Sequence, residues 1–339
     1  MNYTALGRSG LQISRLTLGA MTFGVGAGIW ASVAGLGREQ AARLVGIALD
    51  RGVNLIDTAD AYSQGQSETI VGQVLNDLGV DETRMLVATK VRLRTGPGPN
   101  QVGLGRSHIF NTVETSLKRL GRDHIDLLQV HDRDPLTPLD ETLRALDDLL
   151  TQGKIRHVGV CNFTASELEL THALTSQAHW ARITSAQVHY SLAARDVEHE
   201  IAPVARRHSM ALMVWSPLSG GYLSGKYTAL DGRPANGRRT ALDFPPINQA
   251  AVDPIIHELR IVAQELNTTP PQVALAWLLG RDEVATVIVG ASSEAQLTEN
   301  LNADELVLLP EHRQRLDKVS QPNVPYPHWM QRLHDRDRL

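Results

Sequence analysis

Hydrophobic residues fall into eight short runs along the chain, separated by longer amphipathic segments. The runs start near Arg15, Asn54, Met85, Ile125, His157, Thr184, Ala211 and Thr286. Each run is too short for a helix and is almost continuously apolar, which is typical of a parallel strand buried on both faces. The pattern therefore predicts eight strands of one parallel sheet.

The segments between the runs have helical spacing and recognisable helix ends. Before Gly153, leucines recur every three or four positions, with Thr137 as a candidate N-cap and Pro138 suited to the first helical position. Residues 107–121 repeat this pattern. Eight alternating strand and helix units predict an α/β fold, a (β/α)8 TIM barrel. An open, doubly wound sheet is the alternative, which is disfavoured because eight units suffice to close a barrel.

Two segments depart from this repeat. Residues 4–14 place a turn sequence between alternating flanks, which predicts a β-hairpin before the first barrel strand. The interval between the seventh and eighth strands, roughly 216–285, begins polar and glycine-rich and then shows helix patterns at 253–266 and 270–280. Long loops in compact domains are usually functional. We interpret residues 1–339 as one barrel domain with these additional helices between strands 7 and 8.

An uncharged stretch of the chain, residues 16–37, is long enough to cross a membrane. Its six glycines make it a poor apolar helix, and we interpret it as a strand followed by a loop. Within it, Gly24-Val-Gly-Ala-Gly28 resembles a dinucleotide-binding glycine fingerprint, which requires a helix to begin at the glycines. Helical spacing resumes only near Arg38, so this interpretation is disfavoured.

Composition narrows the class of protein. Lys and Arg number 33 against 37 Asp and Glu, and a net charge of −4 without basic runs predicts no nucleic-acid partner and no membrane partner. A single cysteine excludes a disulfide framework and a multi-cysteine zinc site, and we predict no metal. The first residues lack the pattern of a signal peptide, so we expect a cytoplasmic protein. The sequence leaves the oligomeric state open.

Polar residues end three consecutive predicted strands. Asp57, followed by Tyr62, ends the second, Lys90 the third and His131 the fourth, at the rim where TIM barrels carry their chemistry. A phenol with a pKa of about 10 is a poor acid at neutral pH unless a cation stabilises its phenolate. Lys90 is such a cation, Asp57 would keep it charged, and His131 would orient a substrate oxygen. This set predicts protonation of a carbonyl oxygen as it becomes an alkoxide.

These residues and their order resemble the catalytic Asp-Tyr-Lys-His tetrad of the aldo-keto reductases. The resemblance runs from the Leu6-Gly-Arg-Ser-Gly-Leu11 hairpin to Asn300. It is closest to the branch of bacterial general reductases and potassium-channel β subunits, through Trp215-Ser-Pro-Leu218, Gly225-Lys-Tyr227 and the segment from Gly290 to Asn300. The resemblance implies a nicotinamide dinucleotide, preferably NADP(H), lying across the barrel mouth.

The resemblance also implies the residues that bind each part of the cofactor. They are Cys161, Asn162 and Gln187 for the carboxamide, Trp215 for stacking on the nicotinamide, Ser216, Leu218, Gly220 and Lys226 for the pyrophosphate, and Gly290, Ser292, Gln296, Glu299 and Asn300 for the adenosine. Trp215 is alternatively a core anchor. Arg238 and Arg239 are candidates for the 2′-phosphate, since a guanidinium fork suits it, with a solvated surface as the equal alternative. Two departures from the family are Cys161, where Ser is common, and Ser63, where Gly is frequent.

The sequence indicates the class of substrate and leaves its identity open. Phe23, Trp30, Tyr326 and Trp329 predict a partly apolar wall around a small carbonyl or alcohol substrate. The expected function is NADP(H)-dependent reduction of an aldehyde or ketone, with Tyr62 as the general acid. The alternative is a cofactor-bound, redox-sensing or binding module similar to the channel β subunits, with little turnover.

Overall fold

A closed barrel of eight parallel strands forms the centre of the molecule. The structure, a computed structural model, describes residues 1–26, 32–226 and 243–335. The barrel strands are β3 (Leu16–Gly19), β4 (Leu55–Asp57), β5 (Leu86–Val91), β6 (Ile125–Val130), β7 (Ile155–Cys161), β8 (Ile183–His189), β9 (Ala211–Trp215) and β10 (Val284–Val289). Each strand pairs with the next in the chain, and β10 pairs with β3 to close the barrel. The predicted (β/α)8 TIM barrel is confirmed.

Helices surround the barrel and continue beyond its last strand. They are α1 (Arg38–Asp50), α2 (Gln66–Asp77), α3 (Arg106–Leu120), α4 (Leu139–Thr151), α5 (Ala165–Ala178), α6 (Ile201–Arg207), α7 (Gln249–Glu265), α8 (Pro270–Leu279), α9 (Glu294–Leu301), α10 (Pro310–Val319) and α11 (His328–Asp335). Helices α7 and α8 lie between β9 and β10 and confirm the two additional helices predicted there. None of the helices in the described ranges is long and apolar enough to cross a membrane.

The predicted helix ends are only partly correct. Gly121, which follows α3, has a φ of 64° and ends that helix as expected. The predicted cap at Thr137 is wrong, because α4 begins at Leu139 and its N-cap residue is Pro138. The Thr137 hydroxyl instead donates a hydrogen bond to Asp134 at 2.6 Å. The polar side chain therefore stabilises the preceding turn.

The predicted hairpin forms and closes the end of the barrel at which the strands begin. Strands β1 (Tyr3–Ala5) and β2 (Gln12–Ser14) pair in antiparallel fashion. Gly7, in the turn, has a φ of 56°, and a Cβ there would lie 2.4 Å from the carbonyl oxygen of Thr184 and 2.6 Å from that of Ser209. Only glycine permits this approach to the starts of β8 and β9.

The barrel interior is apolar near the hairpin and polar at the opposite end. Leu6 and Ile13 of the hairpin pack with Leu55, Leu127 and other aliphatic residues in a cluster without aromatic side chains. A second, larger apolar cluster lies between the strands and the surrounding helices. The charged and amide side chains of the barrel interior lie instead at the carboxyl ends of the strands.

Helices α2 and α3 approach so closely that one glycine is required, which leads to a stability prediction. A Cβ on Gly72 would lie 2.5 Å from the carbonyl oxygen of Leu120 and 2.6 Å from that of Arg119. We expect Gly72→Ala to lower the free energy of unfolding by about 1–3 kcal/mol, because backbone atoms must move. The measurement is urea denaturation.

Gly46→Ala is the matched control for this prediction. Gly46 lies inside α1, and an added Cβ meets no atom within 4 Å. The same substitution should raise the free energy of unfolding by about 0.5–1 kcal/mol, since alanine favours the helix. A stabilising effect of Gly72→Ala would contradict the predicted clash.

Candidate active site

The two-residue period of the strands places the predicted catalytic side chains inside the barrel. Leu55 and Leu127 belong to the apolar interior cluster, and residues two positions further along each strand point to the same side. Asp57 and Gln129 are those residues. Lys90 follows Ala88, another member of the cluster, in the same way. Three adjacent strands thus deliver a carboxylate, an ammonium and an amide to one layer.

Lys90 lies at the centre of this layer. Its side chain is 0% exposed, and Nζ donates hydrogen bonds to Asp57 Oδ2 at 2.5 Å, to the carbonyl oxygen of Thr58 at 2.8 Å and to Tyr62 Oη at 3.2 Å. An ammonium group has three donors, and all three are used. The structure therefore brings the predicted carboxylate, ammonium and phenol groups of Asp57, Lys90 and Tyr62 into contact.

Burial and charge act in opposite directions on these groups. Burial lowers the pKa of the Lys90 ammonium, but the Asp57 carboxylate, together with Tyr62 and Cys161, more than offsets this, and the pKa lies above its ordinary value. Burial raises the pKa of the Tyr62 phenol, and Lys90 offsets only part of the rise. At neutral pH the lysine is therefore charged and the tyrosine carries its proton.

Two buried glutamines hold the second oxygen of Asp57. Gln129 Nε2 and Gln187 Nε2 each donate to Asp57 Oδ1 at 2.9 Å, and Gln187 Nε2 also donates to Gln129 Oε1 at 3.1 Å. The carboxylate is thus fixed from both sides, with one oxygen toward the lysine and one toward the amides. Sequence reasoning missed Gln129, although a polar residue two positions after Leu127 in an apolar strand is a usable signal.

His131 lies beside the phenol at the end of β6. The Tyr62 and His131 rings meet edge to face, with centroids 5.8 Å apart and an interplanar angle of 76°. Nδ1 of His131 is buried and has no hydrogen-bond partner among the described residues. Burial, and then the positive charges of Lys90 and Arg92, lower the pKa of His131 to about 3. The imidazole is therefore neutral at physiological pH.

The turn that carries Tyr62 has an unusual backbone. Ser63, Gln64 and Gly65 have φ values of 49°, 58° and 87°, in the left-handed region that favours glycine. The Ser63 hydroxyl donates to the carbonyl oxygen of Phe23 at 3.1 Å, which offsets part of the cost. This geometry gives a physical reason for the glycine that the family often has at the position of Ser63.

Asp60 lies in the same segment but is not the acid that pairs with Lys90. Its side chain is buried, and burial followed by the neighbouring Glu68 carboxylate raises its pKa well above the ordinary value. Arg119 donates to Glu68 Oε2 at 3.1 Å and to the carbonyl oxygen of Asp60 at 3.2 Å. Asp60 and Glu68 thus belong to the support beneath the Tyr62 turn.

The three predicted carboxamide contacts are adjacent but differ in exposure. Asn162 is exposed, whereas Cys161 and Gln187 are buried beneath it. Asn162 Nδ2 donates to the carbonyl oxygen of His131, and Asn162 Oδ1 accepts from Trp215 Nε1, both at 3.0 Å. The Cys161 sulfur lies 3.7 Å from Gln129 Oε1, toward the barrel interior. One Nδ2 hydrogen of Asn162 and the side-chain Oε1 of Gln187 remain available to a ligand amide, whereas the backbone oxygen of Gln187 accepts from the Asn162 N–H.

Trp215 stacks against two other rings. His189 lies 4.6 Å from it, centroid to centroid, at an interplanar angle of 25°, and Phe244 lies 5.8 Å away at 6°. Phe244 belongs to the long interval between β9 and β10, which therefore reaches the rim. Trp215 is partly exposed, so it is not the fully buried core anchor of the alternative interpretation.

The loop after β9 is a tight turn closed by its own hydrogen bonds. Ser216, Ser219, Gly220 and Gly221 all have positive φ values. The N–H groups of Ser219 and Gly220 donate to the carbonyl oxygen and to Oγ of Ser216, and that of Gly221 donates to the carbonyl oxygen of Leu218. The predicted pyrophosphate residues Ser216 and Gly220 lie in this loop, Leu218 packs against the main core, and Lys226 is exposed at its end.

The predicted adenosine contacts gather at α9. Gly290 and Ser292 precede the helix, and Gln296, Glu299 and Asn300 lie on it. Ser293 caps the helix, and Gln296 Oε1 accepts from the Ser292 N–H at 2.8 Å. Asn300 is buried, whereas the other four are at least partly exposed. Arg238 and Arg239 lie outside the described residues.

The predicted substrate wall is not supported as a whole. Phe23 is 0% exposed and packs in the main core, so it offers no surface to a substrate, and this prediction is corrected. A backbone bridge to Leu36 holds the segment of Phe23. Tyr326 and Trp329 are 74% and 45% exposed, with ring centroids 6.2 Å apart. Trp30 lies outside the described residues.

The described part of the chain holds no group of three His, Cys, Asp or Glu side chains that could bind a metal ion. The site described above brings Asp57, Tyr62, Lys90 and His131 together beside Asn162, Gln187 and Trp215.

Comparison with known proteins agrees with this geometry. The putative voltage-gated potassium channel subunit beta of Schizosaccharomyces pombe is 34% identical over 326 residues, covering 93% of this chain and 92% of the relative. A probable voltage-gated potassium channel subunit beta of Arabidopsis thaliana is 32% identical over 335 residues, covering 96% and 99%. The versiconal hemiacetal acetate reductase of Aspergillus parasiticus is 30% identical over 345 residues, covering 96% and 99%. The model of the Aldo/keto reductase family matches residues 15–321. This protein therefore belongs to the aldo/keto reductase family.

Proposed function

We propose that the protein is an NADP(H)-dependent reductase that converts an aldehyde or ketone to an alcohol. Family membership and the reductase among its relatives support oxidoreductase activity with a nicotinamide cofactor. One observation carries the proposal, namely that the Tyr62 phenol lies 3.2 Å from an ammonium group that Asp57 keeps charged. A bound nicotinamide ring would supply the hydride.

Tyr62 has both properties that a proton donor needs. Its raised pKa keeps the proton on the phenol at neutral pH. Once the proton has moved to the substrate oxygen, the phenolate lies next to the Lys90 ammonium, which stabilises the negative charge. Lys90 thus assists the step, and Asp57, held by Gln129 and Gln187, orients Lys90.

His131 is proposed to position the carbonyl oxygen as a neutral hydrogen-bond donor. A neutral imidazole carries one N–H, and the edge-to-face contact with Tyr62 places the ring beside the phenol. A charged imidazolium at this position would repel Lys90. The low pKa of His131 avoids that repulsion.

The residues at the rim fit a dinucleotide. Asn162 Nδ2 and Gln187 Oε1 are suited to binding the carboxamide, Trp215 to stacking on the nicotinamide, and the exposed Lys226 to a charge on the pyrophosphate. The preference for NADP(H) over NAD(H) rests on the family resemblance, with Arg238 and Arg239 as candidates for the 2′-phosphate. A cytoplasmic location stays a prediction.

A cofactor-bound, redox-sensing module is the second candidate function. Several relatives that cover nearly the whole chain are named as potassium channel subunits. The tetrad does not separate the two functions, because the resemblance implies it for that branch as well. The difference is kinetic, since an enzyme turns over repeatedly whereas a sensor needs only slow, single conversions.

Steady-state oxidation of NADPH with a panel of aldehydes and ketones tests the proposed reaction. We expect Tyr62→Phe to retain its affinity for NADPH but to lose a factor of about 10²–10⁴ in kcat, because the proton donor is gone. Tyr3→Phe is the matched control, since Tyr3 lies in β1 of the hairpin and its hydroxyl donates a hydrogen bond to the carbonyl oxygen of Gly52.

The outcomes of this panel distinguish the two functions. Repeated turnover by the wild type that Tyr62→Phe loses and Tyr3→Phe keeps supports the reductase. Unchanged turnover in Tyr62→Phe would refute the role of the phenol. Single slow conversions with every carbonyl would favour the sensing module. The same panel run with NADH gives the cofactor preference as a ratio of kcat/KM values.

The proposed roles also predict that His131 does not titrate near neutral pH. His131 has a pKa of about 3, so its ring should stay neutral across the range from about pH 8 to about pH 5, where a free histidine gains a proton. Nuclear magnetic resonance of ¹³C-labelled histidine measures this, with the His131 signal assigned by its loss in His131→Gln. An inflection of that signal near pH 6.5 would contradict the neutral, positioning role.

A further inference from the structure

A cavity lies at the end of the barrel opposite Tyr62, beneath the hairpin. This basal cavity has a volume of about 210 Å³, and the charged or titratable side chains that line it are Arg8, His172, Arg182, Arg207 and His208. Its walls come from the hairpin turn, from α5 and α6, and from the starts of β8 and β9. Three arginines and two histidines thus meet in one cavity of a chain whose net charge is −4.

The positive charge in the basal cavity is only partly balanced. Glu169 accepts a hydrogen bond from Arg207 at 2.6 Å and lies 2.7 Å from His208 Nε2. Arg8 and Arg182 make no hydrogen bond or ion pair with any other described residue. One carboxylate therefore faces three guanidinium groups, and two of these keep all their donors available.

The two histidines of the basal cavity are stacked. The rings of His172 and His208 lie 3.7 Å apart, centroid to centroid, at an interplanar angle of 24°. Burial and the charge of His208 lower the pKa of His172, the Glu169 carboxylate raises it, and Arg182 lowers it again, so that the pKa lies below its ordinary value. The surroundings thus disfavour protonation of the His172 ring, and an anion in the cavity would favour it.

The hairpin holds one of the free arginines in place. Gly7, the residue before Arg8, contacts the backbone of Thr184 and Ser209 so closely that no Cβ could be added. Arg8 therefore extends from a turn whose backbone is fixed against the cavity wall. A fixed backbone reduces the entropy that would be lost when a ligand binds.

We propose that the basal cavity binds a phosphate group, with Arg8 and Arg182 as its main ligands and His172 beside it. Planar guanidinium groups match the oxygen geometry of a tetrahedral oxyanion and bind it with charge-assisted hydrogen bonds. A cavity of about 210 Å³ holds such a group with room for several water molecules. Free inorganic phosphate and a small phosphomonoester share this chemistry, and the test distinguishes them.

The basal cavity is separate from the loops proposed to hold the cofactor. Ser209 precedes β9 and Ser216 follows it, and the five residues of that strand span about 13 Å. The two features thus lie at opposite ends of the barrel. The phosphate proposal does not depend on the proposed reductase function.

The test is a titration of ¹³C-histidine-labelled protein with inorganic phosphate and, separately, with glycerol phosphate, at constant ionic strength maintained with sodium chloride. We expect a saturable rise in the pKa of His172 and a rise in Tm, because a ligand that binds only the folded protein stabilises it. The ligand that binds more tightly identifies the preferred source of the phosphate group.

Variants on two different elements test the assignment of the ligands. Arg8→Gln and Arg182→Gln should each weaken phosphate binding by about tenfold or more, which corresponds to the loss of a charged hydrogen bond. Arg206→Gln is the matched control, since Arg206 is adjacent to Arg207 on α6 but pairs with Glu283 and has a side chain that is 70% exposed.

Two results would overturn the proposal. One is a His172 pKa that responds to neither phosphate compound beyond the response to chloride. The other is a loss of affinity in Arg206→Gln equal to that in Arg182→Gln, which would indicate a general charge effect.

Discussion

The burial of the Lys90 ammonium inside the barrel is the constraint on which the candidate active site depends. An isolated ammonium in such surroundings would lose its proton, so the charge must be matched by acceptors. Asp57, the carbonyl oxygen of Thr58 and Tyr62 provide them. Asp57 ends β4 and Lys90 lies near the end of β5. The ion pair between them therefore requires these strands to be neighbours in a fixed register. In general, a buried ion pair that loses one partner costs about 3–5 kcal/mol.

Burial in the same site leads to three different protonation states for Tyr62, His131 and Lys90. Burial disfavours every charged form, so it raises the pKa of the Tyr62 phenol and lowers that of the His131 imidazole. Of these three side chains only Lys90 is charged, because the negative charge of Asp57 compensates for the burial of its ammonium. A protonated phenol, a neutral imidazole and an ammonium group side by side can donate a proton to an oxygen without introducing a second positive charge. The barrel thus tunes these groups by environment.

The sequence predicted what local patterns determine, and it missed what depends on distant contacts. The positions of Asp57, Lys90 and His131 at the ends of three consecutive strands were sufficient to predict that they meet at one rim. The hydrogen bond from Gln129 to Asp57 depends on strand neighbours that no local pattern reveals. Phe23 was assigned to the rim from its loop, but the side to which a loop residue points is set by tertiary contacts. Thr137 is not the cap because α4 begins one residue later than predicted, with Pro138 at the N-cap position.

Charged side chains are compensated differently at the two ends of the barrel. At the carboxyl ends of the strands, charge is compensated by fixed neighbours. At the amino ends, residues normally contribute to stability, yet Arg8 and Arg182 face the basal cavity with only Glu169 among the carboxylates of the described chain to offset the arginines there. Like charges that share a cavity repel one another and weaken the folded state, whereas a bound anion turns that repulsion into attraction. A ligand explains this arrangement of charges better than a contribution to the stability of the fold does.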